Sequence, residues 1–272
     1  MNLRAVRTLA TRDLTALSRS RGVLAPLALV PMVLLVLLPG IAGMAPSTVG
    51  IPEPLMYEVV RLSLNMPEAM QASFAGMTTE QLWVTLVLLN FMVPFYLVVP
   101  LTVASVIAAD SFAGERERST LESLVYTPTS DQELFLAKLA GAWLPAVGVG
   151  LVSFVMYGVT VNVTAWPVMQ RVFFPTPEWV ALALFVGPGA AALGLSMGVI
   201  ISARVRTVQE ASQLGSIVVI PIVMLVVGQL SGQLHLTLSR VIGMGLALWC
   251  VDLGLLLLAR RLCRRDVLMS RR

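Results

Sequence analysis

A single histidine, His235, two cysteines, Cys250 and Cys263, and a single lysine, Lys138, are the groups from which a nucleophile, a metal ligand or a phosphate clamp would have to be built. They are too few and wrongly spaced. The cysteines lie thirteen residues apart, so the chain supports no zinc cluster, haem motif or internal disulfide framework. Lys138, in LFLAKLAG, lacks both the preceding glycine and the following hydroxyl of a phosphate-cradling loop, so the chain is not by itself a P-loop ATPase. No Ser/His/Asp or Cys/His set can be completed with one histidine. The sequence therefore reads as a non-enzyme with no metal site and no cofactor of its own. Two acidic features remain: Asp252, alone in an apolar run, and the stretch FAGERERSTLESLVYTPTS at residues 112–130.

The elements around them are set by composition. The chain has 272 residues, 57% of them apolar and only 12% charged, with a mean hydropathy of +0.85. A soluble domain carries about a quarter charged residues. Continuous apolar runs of about twenty residues are too long for barrel strands and match helices that cross a bilayer. Six runs qualify: 23–43, 82–109, 139–162, 179–203, 213–232 and 241–259, the last broken only by Asp252. The fold class is all-α integral membrane, a single transmembrane domain with six spans. The core of the first run exceeds the usual 7–15 residues of a cleaved signal, so it reads as a retained span.

Charge orients the bundle. Sixteen of the nineteen basic residues fall on one side: Arg4, Arg7, Arg12, Arg19 and Arg21, then Arg116, Arg118 and Lys138, then Arg204 and Arg206, then the six arginines of 260–272. Arg61, Arg171 and Arg240 are left for the other. The positive-inside rule puts both termini and the loop 110–138 in the cytoplasm. The net charge of +4 is then explained by topology and contact with anionic membrane lipid, with no nucleic-acid partner. Residues 1–22 place Leu3, Val6, Ala10, Leu14 and Leu17 on one face, the pattern of an interfacial helix, although Asp13 interrupts it.

Within residues 112–130, Ser119-Thr120-Leu121-Glu122 is a capping box, and Leu121, Leu124 and Val125 fall on one face of the short helix it opens. Pro128 ends that helix, and Ser130-Asp131-Gln132-Glu133 is a second box that opens the third span. Physics alone leaves two readings: a hairpin whose apolar stripe lies on lipid headgroups, or a knob that docks in a groove on a soluble partner.

Glu115, Arg116, Glu117, Ser119, Thr120, Leu121, Glu122, Leu124, Pro128 and Ser130 resemble the pattern E-[RK]-E-x-G-T-[LI]-E-x-L-x-x-x-P-x-[ST] of the permease subunits of type-two ATP-binding-cassette exporters. The resemblance implies that Glu115, Glu117, Ser119, Thr120, Leu121, Glu122, Leu124, Val125 and Pro128 form a coupling helix between spans two and three. That helix would dock on a separate cytosolic ATP-binding-cassette ATPase, which supplies ATP and Mg. It also implies an elbow helix at the N-terminus, a second permease copy or a sister permease, and a bacterial or archaeal cell (inner) membrane. Ser119 departs from the family's usual glycine, but serine also caps helices. Residues 231–240, between the last two spans, are shorter than in polysaccharide exporters, and the long outer segment 44–81 looks more like sodium- or drug-exporter relatives.

Other features carry weaker signals. Asp252 reads as a structural acid that bonds a neighbouring helix or lies near the inner interface. The sharper alternative is a cation or proton site on a transport path, which would suit an ion-driven secondary transporter. A membrane scaffold for an ATPase is a third reading of the whole chain. Gly194 and Gly198 form G-x-x-x-G, and prolines 31, 94, 100, 145, 188 and 221 stand inside spans. The outer segment holds Met44, Met56, Met66, Met70 and Met77 without histidine or cysteine, which favours packing over metal capture.

Overall fold

The computed structural model describes residues 21–66, 68–111, 131–202, 210, 213, 219–230 and 237–262. The expected elbow helix (apart from its last two residues), the segment 112–130 and the tail beyond residue 262 lie outside them. Among the described residues all regular structure is helical. In chain order, α1 runs through Arg21–Met32, a π-helical turn Val33–Leu37 and Leu38–Thr48. The outer segment holds α2 (Glu53–Leu64) and α3 (Glu68–Phe74). Helix α4 runs through Thr79–Val84, a π-helical turn Thr85–Phe91 and Val93–Ala109. Then come α5 (Asp131–Thr164) and the short α6 (Trp166–Met169). Helix α7 comprises Pro177–Ala181, a π-helical turn Leu182–Val186 and Gly187–Ser202. Helices α8 (Ile220–Leu230) and α9 (Leu238–Leu262) follow.

Among the described residues five stretches are long and apolar enough to cross a membrane: Leu27–Thr48, Thr79–Ala109, Leu139–Thr164, Pro177–Ser202 and Leu238–Ala259. The chain is an integral membrane helical protein. Of the run expected at 213–232, α8 is the continuous described helix, eleven residues long.

Helix α7 is the centre of the bundle: 72% of its membrane window is buried, against 17% for α9. It packs on α4 along one side and α9 along another. The G-x-x-x-G pair makes the first contact possible. A Cβ at Gly194 would strike the carbonyl oxygen of Leu101, and one at Gly198 would stand 2.8 Å from the Ala108 Cβ. Between transmembrane helices close approach maximises van der Waals contact where no hydrophobic force separates helix from lipid. Gly187 near Tyr96, Gly194 near Leu101 and Gly198 near Ser105 show that α4 and α7 run parallel.

Four of the chain's five tryptophans tie spans together by donating an indole N–H to a main-chain carbonyl of another helix. Trp83 donates to Ala42 at 3.0 Å, Trp143 to Pro188 at 2.9 Å, Trp179 to Leu89 at 2.8 Å and Trp249 to Phe185 at 3.1 Å. Prolines and π turns explain the free acceptors. Pro46 has no N–H for the Ala42 carbonyl four residues before it. Leu89 and Phe185 lie in π turns, where the i→i−4 ladder is broken. In lipid no water can satisfy such a carbonyl, so a side chain must.

The π turn of α4 is the densest of these junctions. The Tyr157 hydroxyl donates to Leu88, the Trp179 indole to Leu89, and the Gln229 amide to Asn90 at 2.9 Å. Three consecutive carbonyls thus bind α5, α7 and α8. Asn90 precedes Pro94 by four residues, so its usual helical donor is missing. Tyr157 stacks on Trp179 with ring centroids 4.8 Å apart, and Tyr96, Phe154 and Phe174 close an aromatic cluster around them. Trp179→Phe keeps the ring and removes the donor. It should cost about 1 kcal/mol, in line with interhelical hydrogen bonds in membranes. The expected result is a thermal midpoint a few degrees lower, measured on the purified protein in detergent.

Thr78 and Gln81 form a capping box at the start of α4: the Gln81 N–H donates to the Thr78 hydroxyl at 3.3 Å and the Thr78 N–H to the Gln81 side chain at 3.1 Å. Met66 packs with Val59 of α2 and with Leu86 in a satellite core, so this methionine fills an apolar contact. Asn162 holds the turn after α6. Its oxygen accepts the N–H groups of Phe173 and Phe174, and its amide donates to the carbonyls of Gly158 and Phe174.

Candidate functional site

The residues expected to dock a partner, Glu115, Glu117, Ser119, Thr120, Leu121, Glu122, Leu124, Val125 and Pro128, lie outside the described residues. What the structure places is their frame. The segment joins the end of α4 at Ala109, through Asp110 and Ser111, to the start of α5 at Asp131. These helices are antiparallel neighbours: Tyr157 reaches Leu88, while Tyr96 donates to the Gly150 carbonyl at 3.4 Å. That register puts Ala109 level with about residue 137 of α5. Helix α5 therefore begins about 9 Å beyond the end of α4, at 1.5 Å per residue. Helix α5 thus runs without interruption from the end of this segment to the aromatic cluster at Tyr157.

Asp252 is fully buried on α9, and among the described residues neither carboxyl oxygen has a hydrogen-bond partner. The expected bond to a neighbouring helix is thus not found there. The sequence reading also passed over other buried polar groups: Asn90, Ser196, Ser202 and Gln229. The Ser196 and Ser202 hydroxyls and the Gln229 side-chain oxygen are likewise without partners among the described residues. Each stands alone in an apolar run, and that isolation was the available signal, since polar groups in spans face inward. Thr78-x-x-Gln81 was a legible capping box that went unread. Among the described residues no three His, Cys, Asp or Glu side chains group together to hold a metal ion.

Buried polar groups and a packed helical core are what the described residues of this membrane protein show. Residues 85–241, more than half of the chain, match the family model described as ABC-2 family transporter protein. No curated protein matches the chain. The chain belongs to the ABC-2 family of transporter proteins, as a multi-pass permease component of an ABC transporter.

Proposed function

We propose that the chain is the permease subunit of an exporter driven by a separate cytosolic ATP-binding-cassette ATPase. Two copies, or this chain and a sister permease, line the substrate path. Six spans, an N-terminal elbow helix and cytoplasmic termini in a cell inner membrane complete the reading. The ATPase docks on residues 115–128, closes on ATP and Mg, and pushes the short helix after Ser119. Helix α5 carries the push to the junction on α4, and the bundle opens outward.

The observation that carries this reading is the family match over residues 85–241, which spans the motif at Glu115–Ser130. The sixteen-to-three split of basic residues supports the orientation. Purification from native membranes tests it: a soluble ATPase should co-purify in a fixed ratio and hydrolyse ATP faster when the transported solute is present. An ion-driven secondary transporter is the second reading, favoured by the unpartnered Asp252. It needs no ATPase, so transport by the purified chain alone would replace the first reading with the second.

A further inference from the structure

Asp252 and Ser196 stand on facing sides of one helix pair. A Cβ at Gly189 of α7 would lie 2.9 Å from Leu248 and 3.4 Å from Trp249 of α9, and one at Gly245 of α9 would lie 2.5 Å from Phe185 and 3.3 Å from Val186 of α7. Residues of α7 thus meet residues about sixty positions later, and the two helices run parallel. Ser196 is two turns beyond Gly189 and on the same face, because seven residues return a helix to within about 20°. Asp252 is one turn beyond Leu248 and falls level with Ala192 and Leu193. Both side chains are fully buried, and this register puts Ser196 about one turn beyond Asp252 along the helix pair. Among the described residues the Ser196 hydroxyl and both carboxyl oxygens of Asp252 have no hydrogen-bond partner.

Among the described residues the seam offers no counter-charge. Of the elements packed most closely on α9, the π turn Leu182–Val186 and Gly187–Ser202 hold no ionisable side chain, and Pro177–Ala181 holds Glu178 alone. Glu178 is about 21 Å from the level of Asp252 by helical rise. On α9 itself Arg240 is twelve residues away, about 18 Å, while Arg260 and Arg261 lie at the inner end. An uncompensated carboxylate inside a span is costly and rarely tolerated without a partner.

We propose that Asp252 and Ser196 form a binding site for one monovalent cation, a proton or an alkali-metal ion, between α7 and α9. One carboxylate neutralises one positive charge. A divalent ion would leave the seam charged, and calcium takes six to eight oxygens where this pair supplies three. The Ser196 hydroxyl, both donor and acceptor, suits either occupant. The cation exchanges with bulk water when α9, the least buried span, separates from α7.

Carbodiimide labelling of the full-length chain in liposomes, read by mass spectrometry of the peptide containing Asp252, tests the site without recourse to transport or ATPase activity. A bound proton makes labelling fall about tenfold per pH unit above its midpoint, the slope of one proton. A bound alkali ion makes Na+, but not a bulky organic cation, suppress labelling at fixed pH. Asp252→Asn, which retains shape without charge, should insert normally and lose both label and ion dependence. Ser196→Ala should keep the label and move the protection midpoint at least several-fold. Labelling indifferent to both pH and Na+, or no label together with no retention of radioactive Na+, overturns the site. An unmoved midpoint in Ser196→Ala overturns the shared site. None of these results bears on the ATPase-driven reading, which stands or falls on co-purification.

Discussion

Leu124→Arg should abolish transport while the ATPase partner continues to turn over. The sequence predicts a short helix opened by Ser119 and Glu122 and closed by Pro128, and the spacing of Leu121, Leu124 and Val125 would put them on one face of it. An arginine in the middle of that stripe forces an unpaired charge into whatever groove receives it. Removing the partner of a buried charge costs about 3–5 kcal/mol, and stranding a new one is of similar size. Docking would weaken about a hundredfold or more, at 1.4 kcal/mol per tenfold. Glu122→Lys should act in the same direction but less strongly, since it removes one side of a capping box, a loss of about 1 kcal/mol. The check is paired measurement of solute flux and ATP hydrolysis in proteoliposomes, with insertion monitored alongside. Wild-type flux in both variants would remove the coupling role from this segment.

Gly194→Leu should prevent a stable bundle. The Leu101 carbonyl occupies the space a Cβ would need, and a backbone atom cannot rotate aside as a side chain can. Helices α4 and α7 would have to part along their most extensive contact. Overpacking costs about 1–3 kcal/mol where side chains can adjust, and here they cannot, so the upper end is the floor. A loss of that size lowers the thermal midpoint by of order 10 °C in a chain of this length. Gly148→Leu is the control: nothing lies within 4 Å of its Cβ position, on an exposed stretch of α5. Monodispersity after heating should fall sharply for the first variant and hardly at all for the second. Equal behaviour would show that the α4–α7 seam is not what holds the bundle together.

The parts of the fold that were legible share one cause. A charge-free run of twenty residues admits almost no alternative to a membrane helix, because backbone groups in lipid must bond within their own segment. Gly194 and Gly198 were readable for a related reason, since small residues four apart leave a groove on one face. The partner segment could be read as a shape, from two capping boxes around Pro128, and its assignment to an ATPase rested on resemblance.

What escaped the sequence was everything that depends on rotation about a helix axis. Helices buried all round or facing lipid show nearly the same apolar composition, so α7 at the centre and α9 at the edge look alike as strings. The π turns left no mark, because a single extra residue in a turn changes hydrogen bonding and not hydropathy. Their consequence, three successive carbonyls of α4 held by Tyr157, Trp179 and Gln229, is decided by which side chains neighbouring helices bring near.

Local rules thus determined that this protein is helical and spans a membrane. Only the packed bundle decided that α7 is the hub, that its glycines meet α4, and that Asp252 and Ser196 are buried without a hydrogen-bond partner among the described residues. Hydropathy is a property of each segment, whereas the burial of one polar atom depends on the phase and register of two helices relative to each other.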